Sequence, residues 1–147
     1  MVSNIRIAEL RDLDNLLKLI FQLSAKKAED ENTSRVILER TLGGMLKNKD
    51  YVVAVYEQDN KLIGTATLIV QLNLSHGGRP YGHIENVVTD ITYRGKGIGA
   101  QLVGFLVEKA KEVKCYKVIL NCSVDNVPFY EKCSFHKTGE VEMRIDI

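Results

Sequence analysis

The chain contains no tryptophan, two prolines and three cysteines in 147 residues. Cys115, Cys122 and Cys133 are an odd number without a CxxC pair, which argues against a disulfide framework or a zinc site and suits a reducing compartment. An excess of one charge is also missing. Lys and Arg number 20 against 19 Asp and Glu, and the formal net charge of +1 gives no reason to expect nucleic acid or an anionic membrane as a partner. No apolar run is long enough to span a bilayer, "MVSNIRIAELRDL" lacks the apolar core of a signal peptide, and "RIDI" carries no retention or peroxisomal address. A cytoplasmic location is the expectation. Internal repeats and low-complexity tracts are absent as well. What is present, 45% hydrophobic and 27% charged residues, is the balance of one soluble globular domain over residues 1–147.

Along the chain, "NIRIAEL" alternates as a short strand does, and apolar residues from Leu13 to Leu23 recur at helical spacing with Asp12 as a plausible cap. "KKAEDENTS" reads as a charged loop, after which Thr33 or Ser34 caps a second helix carrying Ile37, Leu38, Thr41, Leu42 and Met45. "YVVAVYEQDNKLIGTATLIVQL" reads as a hairpin turning at Gln58 to Lys61. The loop "NLSHGGRPYG" leads to a strand "HIENVVTD", a glycine stretch and a helix to about Val113. "CYKVILNC" reads as a buried strand, Asp125 or Asn126 as the cap of a short helix with Pro128 in its first turn, and "GEVEMRIDI" as a closing strand. The predicted order is β-α-α-β-β-β-α-β-α-β, a mixed α/β fold with one central sheet flanked by helices.

The stretch "YRGKGIGAQLVGFL" holds Gly95, Gly97 and Gly99 among Arg94 and Lys96, ahead of an amphipathic helix. Backbone amides freed by glycine beside basic side chains make an anion site. A phosphate loop of the GxxxxGK[ST] kind fails on spacing, because Gly97 and not Ser or Thr follows Lys96. Gly95, Gly97 and Ala100 match the letters of a dinucleotide fingerprint, but that fingerprint belongs after the first strand of a doubly wound sheet, with an acidic residue about 20 positions on. A tight strand-to-helix turn with surface charge is the plain structural alternative. The pattern R-x-x-G-x-G, filled by Arg94, Gly97 and Gly99 after a strand and before a helix, resembles the acyl-CoA pyrophosphate loop of the GNAT superfamily of N-acetyltransferases. Further on, the Asn and Phe-Tyr of "NVPFYEKCSF" resemble the superfamily positions that contact the cofactor arm and the thioester sulfur, here Asn126 and Tyr130. "GHIENVV", "CYKVIL", "NVPFYEKCSF" and "VEM" together resemble one narrower group, the eukaryotic-type glucosamine 6-phosphate N-acetyltransferases, over roughly residues 77 to 143.

The resemblance implies an acyltransferase that uses acetyl-CoA, needs no metal, and acetylates the 2-amine of glucosamine 6-phosphate on the route to UDP-N-acetylglucosamine. It also implies a homodimer whose site borrows residues from the partner chain. Cofactor contacts would come from Val87, Val88, Arg94, Gly95, Lys96, Gly97, Ile98, Gly99, Asn126 and Tyr130. Tyr130 would be the acid for the thiolate, with a packed core aromatic as the plain alternative. Glu85, the one carboxylate inside "HIENVV", would lie at the sugar. Two positions depart from the group's pattern: Asn86 and Asn121 stand where acids are usual. An amide cannot act as a base near neutral pH, so Asn121 could only position the amine or a water, leaving Glu85 or solvent to take the proton. Arg79, Lys117 and Arg144 are candidate cations for the substrate phosphate, each equally readable as a surface charge, and Ser24 is a candidate hydroxyl near the sugar. Cys122 and Cys133 read as buried small apolar residues. The rival readings are acetylation of another amine (a protein N-terminus, a lysine or a polyamine) and a catalytically silent acyl-CoA sensor.

Overall fold

The computed structural model describes residues 4–23 and 33–147. Two long apolar runs determine its centre. Strand β2 (Tyr51–Gln58) and strand β3 (Lys61–Gln71) pair antiparallel through Asp59 and Asn60, both at positive φ (51° and 60°), the conformation of a tight hairpin turn. Their side chains are apolar on both faces, as a strand covered on both sides requires. Strand β1 (Ile5–Ile7) joins one edge through β2, and β4 (Tyr81–Thr89) pairs antiparallel with β3. Strand β5 (Lys117–Ile119) pairs parallel with β4, giving a mixed five-stranded sheet in the order β1-β2-β3-β4-β5.

Helices α1 (Leu13–Ile20) and α2 (Arg35–Lys47) cover one face, packing on Val53, Val55, Leu62 and Val88. Helix α3 (Ile98–Glu112), the crossover between β4 and β5, covers the other with Leu102, Val103 and Leu106, all fully buried against Ala54, Ile63, Ala66 and Leu68. Helix α4 (Val127–Lys132) follows β5 on that same face, where Phe129 and Tyr130 pack against the α3 core. The expected α/β layering and single central sheet are therefore present. Among the described residues no helix is long and apolar enough to cross a membrane.

Four expectations need correction. Ser34 and Asn126 stand at the cap positions of α2 and α4 without a side-chain cap hydrogen bond, and the same holds at α1 for Asp12. Its carboxylate instead accepts from the Glu9 backbone (2.8 Å) and from both Arg6 Nη atoms (2.7 and 3.0 Å), while Arg6 Nε donates to Glu57 at 2.6 Å. A nearly buried carboxylate takes the stronger, charged donors on offer, and that pairing straps β1 to β2 and to the turn before α1. Strand β5 is only three residues long, because the chain leaves β4 after Ile119. The closing segment "GEVEMRIDI" is not a strand in the single chain. Among the described residues it pairs with no neighbouring strand, and Val141, Met143, Ile145 and Ile147 are all exposed. Cys122 is exposed rather than buried, since it lies in the irregular stretch past β5, whereas Cys133 is half-buried.

Candidate active site

Two features at the carboxyl end of β4 make the site. The first is an anion cradle. Past Thr89, the Asp90 carboxylate accepts from the Thr92 amide (3.0 Å) and hydroxyl (2.6 Å), closing a 3-10 turn over Ile91–Tyr93. Those bonds, the hydroxyl's foremost, hold the Asp90 carboxyl below the usual carboxylate range. Gln22 at the end of α1 accepts from the Ile91 amide at 3.1 Å and ties the turn to the opposite layer. Gly95 and Gly97 then both adopt φ 78°, a conformation open to glycine and costly to residues with a Cβ. The first bond of α3 runs from the Gln101 amide to the Gly97 carbonyl (3.1 Å), so the amides of Ile98, Gly99 and Ala100 have no helical acceptor. They point with the positive end of a 15-residue helix.

Basic side chains surround that end. The ammonium groups of Lys61 and Lys96 lie 5.1 and 5.0 Å from the Tyr93 ring centre, and Arg94 Nε donates to the Thr89 carbonyl at 3.2 Å. None of these three cations forms an ion pair among the described residues. A Cβ on Gly99 would stand 3.1 Å from the Phe129 ring, so this glycine lets α4 close against the start of α3. Amides, dipole and cations together suit a multiply charged phosphate group. Lys61, in the hairpin turn, was not marked by any motif; only the fold brings it beside Tyr93.

The second feature is a parting of the sheet. Strands β4 and β5 pair at Tyr81–Lys117, Gly82–Val118 and His83–Ile119, and then diverge. On the β4 side of the opening stand Glu85, Asn86, Val87 and Val88. The β3 register slips here, Thr67 opposing Glu85 and Thr65 opposing Val88, so Asn86 and Val87 share one partner in a bulge. Asn86 takes φ 53°, a left-handed conformation that Asn and Asp tolerate better than other side chains. On the other side, Asn121, Cys122 and Asn126 are exposed, and neither asparagine side chain makes a hydrogen bond among the described residues.

Beneath the opening lies Tyr130. Its ring meets Phe129 edge-on at 4.8 Å and Phe135 at 6.1 Å, and its hydroxyl has no hydrogen-bond partner among the described residues. Burial first, then the nearby Cys122 and Cys133 thiols and the Glu85 carboxylate, push the phenol up to about 12. The phenol is therefore protonated throughout the physiological range and available as a donor. Glu85 is exposed, unpaired among the described residues, and close enough for its charge to act on Tyr130. A proton acceptor and a proton donor thus share one opening.

The three expected phosphate cations are not gathered there. Arg79 spends its guanidinium on the Lys114 and Cys115 carbonyls (3.2 and 3.0 Å), and Lys117 sits 4.6 Å from the Tyr81 ring centre at the opposite end of β4. Tyr81 and Glu85 are four strand residues apart, about 13 Å at roughly 3.3 Å per residue. Arg144 pairs with Asp146 within the exposed tail. Ser24 lies outside the described residues. His83 bonds Gln71 at 2.8 Å, a structural contact between β4 and β3.

Comparison with known proteins decides the family. Residues 10–135 match the family described as "Acetyltransferase (GNAT) family". The chain belongs to this family. The chain is 35% identical over 144 residues to the glucosamine 6-phosphate N-acetyltransferase of Trypanosoma brucei brucei, covering 97% of this chain and 95% of that one. The crystal structure of glucosamine-6-phosphate N-acetyltransferase from Arabidopsis thaliana superposes with a TM-score of 0.85 at 31% identity, over 97% of both chains. A predicted acetyltransferase from Clostridium acetobutylicum, solved with acetyl-CoA, superposes with a TM-score of 0.75 at 27% identity, over 97% of this chain and 96% of that one. GNAT enzymes use acetyl-CoA.

Proposed function

We propose that this acetyltransferase moves the acetyl group of acetyl-CoA to the 2-amine of glucosamine 6-phosphate. The observation that carries the reading is near full-length likeness to a glucosamine 6-phosphate N-acetyltransferase, in a chain that keeps Glu85 and Tyr130 on either side of one opening. Arg94, Gly95, Lys96, Gly97, Ile98 and Gly99 hold the pyrophosphate. The amides around Val87 and Val88 receive the thioester carbonyl, and Asn126 the cofactor arm. The amine nitrogen forms a bond to the carbonyl carbon and the carbon–sulfur bond breaks. Glu85 accepts the proton released from nitrogen, directly or through a water positioned by Asn121. Tyr130 donates a hydrogen bond, and ultimately a proton from solvent exchange, to the departing sulfur.

The same reading makes the protein a homodimer. Val141, Met143, Ile145 and Ile147 alternate along the exposed tail, and pairing with a second copy as a strand would supply both a ladder and their burial. Lys117 and Arg79 stand at the opposite end of β4 from Glu85, and in a dimer they would serve the acceptor phosphate of the neighbouring copy. The test is release of free thiol from acetyl-CoA with glucosamine 6-phosphate, glucosamine, spermidine and a lysine peptide as parallel acceptors. Turnover confined to the phosphorylated sugar upholds the reading; turnover with another amine, or with none, overturns the acceptor.

A further inference from the structure

Between α1, α2 and the sheet lies a cavity of about 170 Å³, whose walls are almost wholly apolar. Leu16 and Leu17 of α1 and Leu38 and Leu42 of α2 face Thr67 and Asn86 of the sheet across it. A cavity of this size holds a guest of roughly six carbon atoms. Two details set it apart from a packing fault. The Thr67 hydroxyl makes no hydrogen bond among the described residues and is left open to the cavity it lines, unlike that of Thr65 two residues earlier, which donates to the Ala54 carbonyl at 2.8 Å. Asn86, in the left-handed bulge, is at once a wall of the cavity and the residue preceding Val87 at the parted strands.

The cavity therefore abuts the place where the thioester is proposed to lie, and the inference rests on that part of the proposed function. Of the two substrates, the sugar phosphate is polar throughout. The only apolar end that reaches this point is the acyl group of the donor. An acetyl group is too small to use the space beyond Asn86. We propose that this cavity is an acyl-chain pocket, and that the enzyme accepts linear acyl-CoA donors of about four to six carbons as well as acetyl-CoA. The chemistry is unchanged: the amine nitrogen bonds the acyl carbon, the carbon–sulfur bond breaks, and the sulfur leaves as the thiol.

Burial of each methylene is worth roughly fourfold in affinity, so the two additional methylenes of butyryl-CoA would tighten binding by up to about fifteenfold over acetyl-CoA. The experiment measures affinity and kcat/KM for acetyl-, butyryl- and hexanoyl-CoA with the full chain and with Leu38→Phe, which enlarges a side chain in the α2 wall of the cavity. The expected result is butyryl-CoA bound at least as tightly as acetyl-CoA by the native chain, and a butyryl-to-acetyl ratio lowered at least tenfold in Leu38→Phe. Leu17→Phe fills the same space from α1 and stands in if Leu38→Phe fails to fold. Butyryl-CoA bound more than tenfold more weakly than acetyl-CoA, or a ratio untouched by filling the cavity, overturns the pocket. Calorimetric affinity reads the pocket without any acceptor. Tight butyryl-CoA binding with no sugar product would thus refute the proposed acceptor and uphold the pocket, and the converse result would do the reverse.

Discussion

Replacing Tyr130 by Phe removes one oxygen from a site whose rings otherwise stay in place. The phenol is held at about 12, whereas a thiol has an ordinary pKa of about 8.5. Complete transfer of the proton from phenol to thiolate would thus run uphill by roughly 5 kcal/mol, at about 1.4 kcal/mol per pH unit. Tyr130 is better suited to stabilising the developing thiolate by a hydrogen bond to charge, worth about 1.5–3 kcal/mol. Tyr130→Phe should therefore lower kcat by about 10- to 150-fold, with KM for acetyl-CoA nearly unchanged. Because the hydroxyl has no hydrogen-bond partner among the described residues, thermal stability at neutral pH should stay within roughly 0.5 kcal/mol of the native protein. The assay is thiol release under saturating donor and acceptor, beside a thermal melt of each protein. A kcat within twofold of native would remove Tyr130 from the mechanism. A loss of 10,000-fold or more with an unchanged melt would refute the hydrogen-bond account in favour of full proton transfer. The raised pKa has a second consequence. The protonated phenol is favoured in the fold, so its contribution to stability is complete below about pH 10 and is lost as pH rises through about 12. Tyr130→Phe should flatten that alkaline decline.

Other perturbations probe the frame. Asp12→Asn should destabilise the fold by about 3 kcal/mol in urea melts, because Arg6 loses its carboxylate in a nearly buried setting. Arg6 foremost holds the Asp12 carboxyl below its usual range, so this contribution is present above about pH 4 and is lost as pH falls further; a native-to-mutant difference constant from pH 7 to pH 2 would contradict it. Gly99→Ala forces a Cβ to 3.1 Å from Phe129, and should cost about 1–3 kcal/mol and lower kcat by displacing the neighbouring Tyr130, as thermal melts and initial rates would report. Arg94→Ala should weaken acetyl-CoA binding by about three- to tenfold in a titration, and unaltered affinity would leave Arg94 as a strap on the Thr89 carbonyl alone. Met143→Glu should halve the mass seen by light scattering, since it places a charge on the apolar face of the tail; a native chain that is already monomeric would refute the dimer.

Local chemistry was enough for much of the fold. Two β-branched apolar runs flanking turn residues read as a hairpin, and they are β2 and β3. Glycines between a strand and an amphipathic run could only be a turn into a helix, and Gly95 and Gly97 take the left-handed conformation that turn demands. Alternation alone misled at the tail, since a strand is defined by a neighbour's backbone and the described residues of the single chain pair none with it. Asp12 likewise looked like a cap until a guanidinium from β1, six residues earlier in the chain, outbid the helix amides.

By itself, then, the sequence determined the family, the order of elements up to α4 and the cradle beside α3, because each depends on neighbours within a few residues or on a motif with its own backbone geometry. Tertiary structure alone decided which side chains meet. It parted β4 from β5 so that Glu85 and Tyr130 face one opening, brought Lys61 to Tyr93, and set Thr67 and Asn86 in the wall of an apolar cavity. Those are contacts between residues tens of positions apart, and the packing of two helical layers on a sheet, not any local preference, sets their distances.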